Sequence, residues 1–395
     1  MGSRVPFRSI AAALLLLGSL ALVPTSGTSP PNFGEPLRNL TADQLARFDA
    51  GKDEFNEVET VEEGLGPVFN DVSCGTCHSA PAIGGGSDRL ETRFGRLKRN
   101  GTFDPLTQFG GSLIQEQGIG ATGACEYLAE TVPPEATIVA KRRTTPLFGL
   151  GLVDAVPDGV FQQIAASERS DPDRTAGVVS IVTNLATGLP AVGRFGWKDQ
   201  NPTLFQFAGD AYINEMGITN PQFPAENCPG GNCDSLSCNP MSTVNDDGEG
   251  VQAFADFMVF LAPPPRGPIS GAAILGEQKF DSLGCTSCHL ATLRTGKNSV
   301  AALSQVTFHP YSDFLLHDMG SLGDGITQNQ ATGRLMRTAP LWGVRKLTTF
   351  LHDGRATTLV GAILAHDGQA RRSRDRFIHL SVFEKAELLA FLNSL

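Results

Sequence analysis

The chain has no second long hydrophobic run. Beyond residue 27 of its 395 residues, nothing approaches the roughly 18–20 consecutive apolar residues of a membrane-spanning helix, which excludes a membrane-embedded body. It also has no basic excess: Lys and Arg number 31 against 41 Asp and Glu, for a formal net charge of −10. An acidic surface argues against nucleic acid as partner, allows docking of a basic one, and at the least keeps the chain soluble. Histidine is scarce, with 7 in all and none between His78 and His289.

The one apolar run lies at the start. Arg4 and Arg8 precede or open it, apolar residues extend from Ile10 to Val23, and the small residues Thr25, Ser26 and Gly27 follow. Residues 1–27 therefore read as an export signal, too short to span a bilayer and with no nearby cysteine to take a lipid anchor. Its removal leaves 29 basic against 41 acidic side chains. The expected location is the periplasm, an oxidising compartment, where the eight cysteines should be disulfides, metal ligands or points of cofactor attachment.

Four of them answer that directly. Cys74-Gly75-Thr76-Cys77-His78 and Cys285-Thr286-Ser287-Cys288-His289 are both C-x-x-C-H, the attachment signature of haem c. Two thiols on one helical turn can reach both vinyl groups of a porphyrin, and the adjoining imidazole then lies under the iron. Cys77 and Cys285 stand in opposite halves of the chain, whereas a zinc ribbon wants its cysteine pairs roughly 15–20 residues apart, and a redox C-x-x-C has no use for the histidine. Two haem c groups are the expected cofactors. The other four cysteines, Cys125, Cys228, Cys233 and Cys238, are expected as two disulfides. Cys228 to Cys233 encloses a Pro-Gly-Gly turn and leaves Cys125 with Cys238, though spacing alone does not settle connectivity, and a four-cysteine metal site is the weaker option.

Helical patterning surrounds each motif. Thr41-Ala42-Asp43-Gln44 opens a helix carrying Leu45, Phe48 and Phe55, and Val251, Phe254, Phe257, Met258 and Leu261 form a closing helix that stops at Pro263-Pro264-Pro265. In the second half, Ser270 caps a helix from Gly271 to Leu283, and Ser381-Val382-Phe383-Glu384 is a capping box ahead of an apolar stripe ending at Leu395. The expected fold is mainly α: two cytochrome c-like haem domains, 41–262 and 269–395, joined by the proline-rich linker 263–268, with the first domain enlarged by long loops. An internal echo supports duplication, because Arg143-Thr144-Thr145-Pro146-Leu147-Phe148-Gly149 resembles Arg337-Thr338-Ala339-Pro340-Leu341-Trp342-Gly343.

Together with Gly193-Arg194-Phe195-Gly196-Trp197-Lys198, Glu215-Met216-Gly217-Ile218-Thr219, Leu316-His317-Asp318-Met319-Gly320 and His352-Asp353-Gly354-Arg355, these motifs give a specific resemblance. Over nearly all of the mature chain it resembles the di-haem oxidoreductase family, a branch of the bacterial di-haem cytochrome c peroxidase superfamily. The resemblance implies a tryptophan between the haems, matched by Trp197, and a glutamine and a glutamate beside the N-terminal haem, matched by Gln206 and Glu215. The Gln206-to-Glu215 spacing is one residue shorter than the family pattern. It further implies a distal ligand for the second haem just before the closing helix, where His366 stands in place of the relatives' methionine or tyrosine. The other residues weighed for that role are His309, His317, Met319, Met336, His352 and His379; His317 and His352 are expected to bond Asp318 and Asp353 in their turns. The superfamily also has a calcium between its domains. Thr338 and Pro340 match its ligands, but Thr144 stands where asparagine is wanted.

With no histidine to face it from its own half, the His78 haem is expected to keep an open face, Met216 being the nearby soft alternative. The expected function is reduction of hydrogen peroxide at the N-terminal haem. Glu215 would act as general acid/base, Gln206 would orient the ligand, and Trp197 would relay electrons from a His289/His366 haem fed by a small c-type cytochrome or another periplasmic donor. The rival readings are a non-catalytic di-haem electron carrier or redox sensor, and a di-haem oxidase of protein side chains.

Overall fold

A computed structural model describes residues 29–395 except 171, 172, 174, 242 and 243; the expected export signal lies outside the described residues. Residues 31–395 form one compact unit. The helices are α1 (Ala42–Asn56), α2 (Cys74–Cys77), α3 (Leu150–Asp154), α4 (Asp158–Glu168), α5 (Leu204–Met216), α6 (Glu249–Phe260), α7 (Gly271–Ser282), α8 (Leu359–Ala365), α9 (Arg371–Ile378) and α10 (Val382–Leu392).

Helix starts follow local chemistry. Thr41 and Gln44 exchange side-chain-to-backbone bonds at the start of α1, and Ser381 and Glu384 do the same at α10. The Ser270 hydroxyl accepts the Ala273 N–H at α7. Each cap satisfies donors that an isolated helix end leaves bare, a contribution of about 1 kcal/mol. Helices α1 and α6 pack through Phe48, Phe55, Phe254 and Phe257 into the larger apolar cluster, which also takes in Leu293, Phe308 and Phe314 from beyond the proline run. Helices α7 and α10 close on Phe280 and Phe391, centroids 5.2 Å apart, in a second cluster. Gly276 permits that approach, since a Cβ there would meet the Glu387 carbonyl.

The segment expected as long loops is partly a sheet. Strand Leu90–Leu97 pairs antiparallel with Ile138–Arg143 and with the short strands Phe103–Asp104 and Leu113–Ile114. Phe94 packs into a small core with Leu106 and Ile114, and Thr92 is buried on the same face of the strand, which directs Glu91 and Arg93 to the opposite face. The echo is structural as well as textual. Strands ending at Arg143 and Arg337 each lead into a turn with glycine in the left-handed region, Gly149 at φ 73° and Gly343 at φ 75°, and then into a short helix.

Cys125 pairs with Cys238 and Cys228 with Cys233, as expected. No helix among the described residues is long and apolar enough to cross a membrane.

Candidate functional site

Each C-x-x-C-H segment is a single turn closed by its own histidine. The His78 N–H donates to the Cys74 carbonyl at 3.0 Å and the His289 N–H to the Cys285 carbonyl at 2.9 Å. The turn gathers two thiols and one imidazole around a common axis. Cys74, Cys77, Cys285 and Cys288 are unpaired, in contrast to the other four. Burial pushes Cys77 up to about 11 and Cys285 to about 12, so both remain neutral thiols. Each motif opens into its own cavity.

The second cavity holds His289 and His366 with ring centroids 6.5 Å apart. His289 Nδ1 lies 2.9 Å from the Tyr311 carbonyl and His366 Nδ1 2.8 Å from the Ala362 carbonyl, so Nε2 of each ring is left to bind a metal. An iron about 2 Å from each nitrogen separates those nitrogens by about 4 Å and the centroids by about 6 Å. The observed spacing fits that sandwich. His366 is presented by the C-terminus of α8, and the walls include Phe280, Leu341, Ile363 and Phe377. Burial, then the neighbouring His366, lowers His289 to about 4, so the ring is neutral and ligand-competent. Met319, Met336 and His317 also line this cavity. His317 does not bond Asp318 as the turn suggested. Its Nε2 lies 2.8 Å from Asp313, while Asp318 accepts from Arg334 and from the Gly320 N–H. His352 Nε2 lies 4.0 Å from Asp353.

The first cavity is different. His78 anchors it with Nδ1 at 2.9 Å from the Gly85 carbonyl, and is the only histidine among its described lining residues. Burial lowers His78 to about 4. Met216 places its sulfur 3.8 Å from Cys74 Sγ, beside an attachment thiol. Glu215 enters from the last turn of α5, which Gly217 terminates at φ 67°. Its backbone carbonyl accepts the Asn70 N–H, and its side chain accepts from Asn70 Nδ2 at 2.7 Å, so the segment before Cys74 holds it in place. Burial first, and the carboxylate of Glu91 second, raise Glu215 to about 7.

Glu91, Arg93, Arg142 and Asp210 also line this cavity, and sequence reasoning passed over all four. A signal was present: the alternation Leu90-Glu91-Thr92-Arg93-Phe94 reads as a strand with both charges on one face.

Gln206 does not join Glu215. The two are nine residues apart, about two and a half helical turns, which puts them on opposite sides of α5. Gln206 lies outside the cavity lining, with its Oε1 accepting the Leu185 N–H at 2.9 Å. Trp197 lines both cavities. Its indole N–H donates to the Arg143 carbonyl at 2.9 Å, and its ring meets His352 edge-on at 6.2 Å.

The residues implied for calcium do not fit a calcium ion. The Thr338 carbonyl already accepts from the Ser312 hydroxyl at 2.7 Å and from the Arg337 guanidinium at 3.3 Å, which places a cation where the metal would sit. The Thr144 hydroxyl is 3.3 Å from that of Ser87. Pro340 lines the second cavity.

No curated protein sequence matches the chain. Among solved structures, hydrazine synthase of Kuenenia stuttgartiensis is similar at 14% identity and TM-score 0.41, covering 98% of this chain and 100% of that one. A MauG-like protein associated with microbial copper homeostasis is similar at 16% and 0.41, covering 95% of each. The diheme peroxidase BthA of Burkholderia thailandensis is similar at 14% and 0.39, covering 94% of this chain and 95% of that one. Residues 125–395, well over half of the chain, match the family described as "Di-haem oxidoreductase, putative peroxidase", while the first C-x-x-C-H motif lies upstream of the matched segment. The chain belongs to the di-haem oxidoreductase family.

Proposed function

We propose that this protein is an exported di-haem c-type oxidoreductase that reduces hydrogen peroxide at the His78 cavity. The observation that carries the reading is the contrast in what faces each anchoring histidine. His289 is faced by His366 at a centroid spacing of 6.5 Å, whereas the His78 cavity offers no second histidine among its described lining residues and presents Glu215. A bis-imidazole site suits electron storage, and a site with one imidazole leaves a face for substrate.

When bound, the two haems supply the redox chemistry and the iron to which peroxide binds. Cys74, Cys77, Cys285 and Cys288 would hold them by thioether bonds, with His78 and the His289/His366 pair as iron ligands. Glu215, raised to about 7 by burial and the Glu91 carboxylate, is still partly protonated at neutral pH and donates its proton to the departing oxygen, so that peroxide, two protons and two electrons give two waters. Trp197, shared by the two cavities, provides an aromatic bridge for electrons between them. Electrons come from a small c-type cytochrome or another periplasmic donor. The disulfides support export, since such bonds persist in oxidising compartments.

The test is spectroscopic and kinetic. Ferric protein should contain one high-spin and one low-spin haem and should consume peroxide when given reduced cytochrome c. A wholly low-spin spectrum with no peroxide consumption would leave the electron-carrier reading in its place.

A further inference from the structure

The His78 cavity contains two carboxyl groups in contact. Glu91 projects from strand Leu90–Leu97 and Glu215 from the end of α5, and both line the same cavity with their carboxyl groups within reach of each other. Two ionised carboxylates have no donor between them, so side chains this close can bond each other only when one of them holds a proton. The surroundings decide which oxygen carries it. Arg93, two residues along the same face, grips Glu91 through both ends of its guanidinium, Nε to Oε1 at 2.9 Å and Nη2 to Oε2 at 3.2 Å. Arg142, directly opposite Glu91 in the strand register, adds a third nitrogen at 3.9 Å. Glu215, by contrast, accepts from the neutral amide of Asn70 at 2.7 Å.

We infer that Glu91 and Glu215 form a proton-sharing carboxyl pair, in which Glu91, held ionised by Arg93 and Arg142, is the positioning residue that keeps Glu215 protonated as the proton donor of this cavity.

The charge balance agrees with the geometry. Burial would raise Glu91, but Arg93 and Arg142 outweigh it and hold Glu91 below the usual carboxylate range. For Glu215, burial and the Glu91 carboxylate outweigh Asn70 and Arg93, and the net shift is upward. Asp210 also faces the pair from α5 and raises Glu215 further; its own oxygens accept from Asn201 and Asn214. Arg142 is also paired with Asp324 at 2.6 Å, and Asp324 with Lys198 at 2.9 Å, so the cations Arg93, Arg142 and Lys198 balance Glu91, Asp210 and Asp324 only while Glu215 holds its proton. After donation, two adjacent carboxylates favour recapture of a proton from solvent, so the donor resets between turnovers.

The existence of the pair is independent of the peroxidase reading; only the use of its proton rests on that reading. Infrared difference spectroscopy of the resting ferric holoprotein reads the pair without turnover. In the wild-type spectrum minus that of Glu215→Gln, which cancels other buried carboxyls such as Glu226 and Asp199, a protonated-carboxyl band should be present at pH 6 and decline as pH rises through about 7. In Glu91→Gln the decline should move to lower pH by on the order of one unit, because the neighbouring negative charge is gone and Arg93 is released toward Glu215. Arg93→Gln should move it the opposite way, and either variant alone suffices if the other does not fold. The alkaline limb of peroxide turnover should follow the band in each variant. Absence of the band in wild type at pH 6, or a decline unmoved by both substitutions, overturns the inference. A band that moves while turnover does not follow upholds the pair and removes Glu215 from the peroxide reaction.

Discussion

The two cavities are built from the same parts and end in contrasting surroundings. Each has a C-x-x-C-H turn, a helix pair braced by phenylalanines (α1 with α6, α7 with α10), and a strand leading into an Arg-Thr-x-Pro-Leu segment that ends on a left-handed glycine. What differs is the wall opposite the anchoring histidine. In the second cavity that wall is α8 and the turn after it, which supply His366 among apolar neighbours. In the first it is a strand pair and α5, which supply Glu91, Arg93, Arg142, Asp210 and Glu215. A buried charge persists only where it is paired or hydrogen-bonded. The wall of the first cavity therefore carries a charged network, whereas His289 is faced by the neutral ring of His366. The attachment motif sets where a cofactor can be held, and the opposite wall sets what can be done there.

The largest effect that would break this comparison is on cofactor content. Cys285→Ala with Cys288→Ala should lower covalently bound haem from two per chain to one, read by acid extraction and pyridine spectra, and should leave the His78 haem attached. Retention of both after acid would remove thioether attachment at the second motif.

Next in size is Glu215→Gln. Peroxide turnover should fall by about 10²–10⁴-fold, the usual contribution of a general acid–base residue, with both haem spectra preserved. In the wild type, turnover should decline as pH rises through about 7, because Glu215 is the competent donor only while protonated. Turnover that survives the substitution would move proton delivery to another group.

His366→Ala sharpens the comparison from the other side. It should convert one low-spin haem to high-spin, measured by electron paramagnetic resonance, and leave the His78 signal alone. An unchanged low-spin signal would transfer the ligand role to Met319 or Met336, which share the cavity.

The smallest effect belongs to Gln206. Gln206→Ala should cost about 1 kcal/mol of stability through the lost bond to the Leu185 N–H, measured by denaturant titration, with turnover within about twofold of wild type. A large loss of turnover with unchanged stability would show that the residue reaches the substrate after all.

What could be read from local sequence was local in its physics. The C-x-x-C-H turns, the caps at Thr41, Ser270 and Ser381, and the paired Arg-Thr-x-Pro-Leu segments each depend on residues within one or two turns of one another, and the structure reproduces them. The resemblance to relatives brought Glu215 and Trp197 to the cavity but misplaced Gln206, because a one-residue change in spacing turns a helix by about 100°. His317 went to Asp313 instead of Asp318 for a similar reason. His317 and Asp318 are adjacent on a strand and point to opposite faces, while Asp313 comes back through the loop before it.

The sequence by itself determined that there are two C-x-x-C-H turns, where the helices opened by Thr41, Ser270 and Ser381 start, and that four other cysteines remain to pair. Only the tertiary structure decided what stands opposite each anchor. Glu91, Arg142 and Glu215 are far apart in the chain, and so are His289 and His366. Their meeting depends on strand register and on how helices pack over each haem motif, and no short-range pattern encodes it, since burial and pairing energies are settled when distant segments close around the same space.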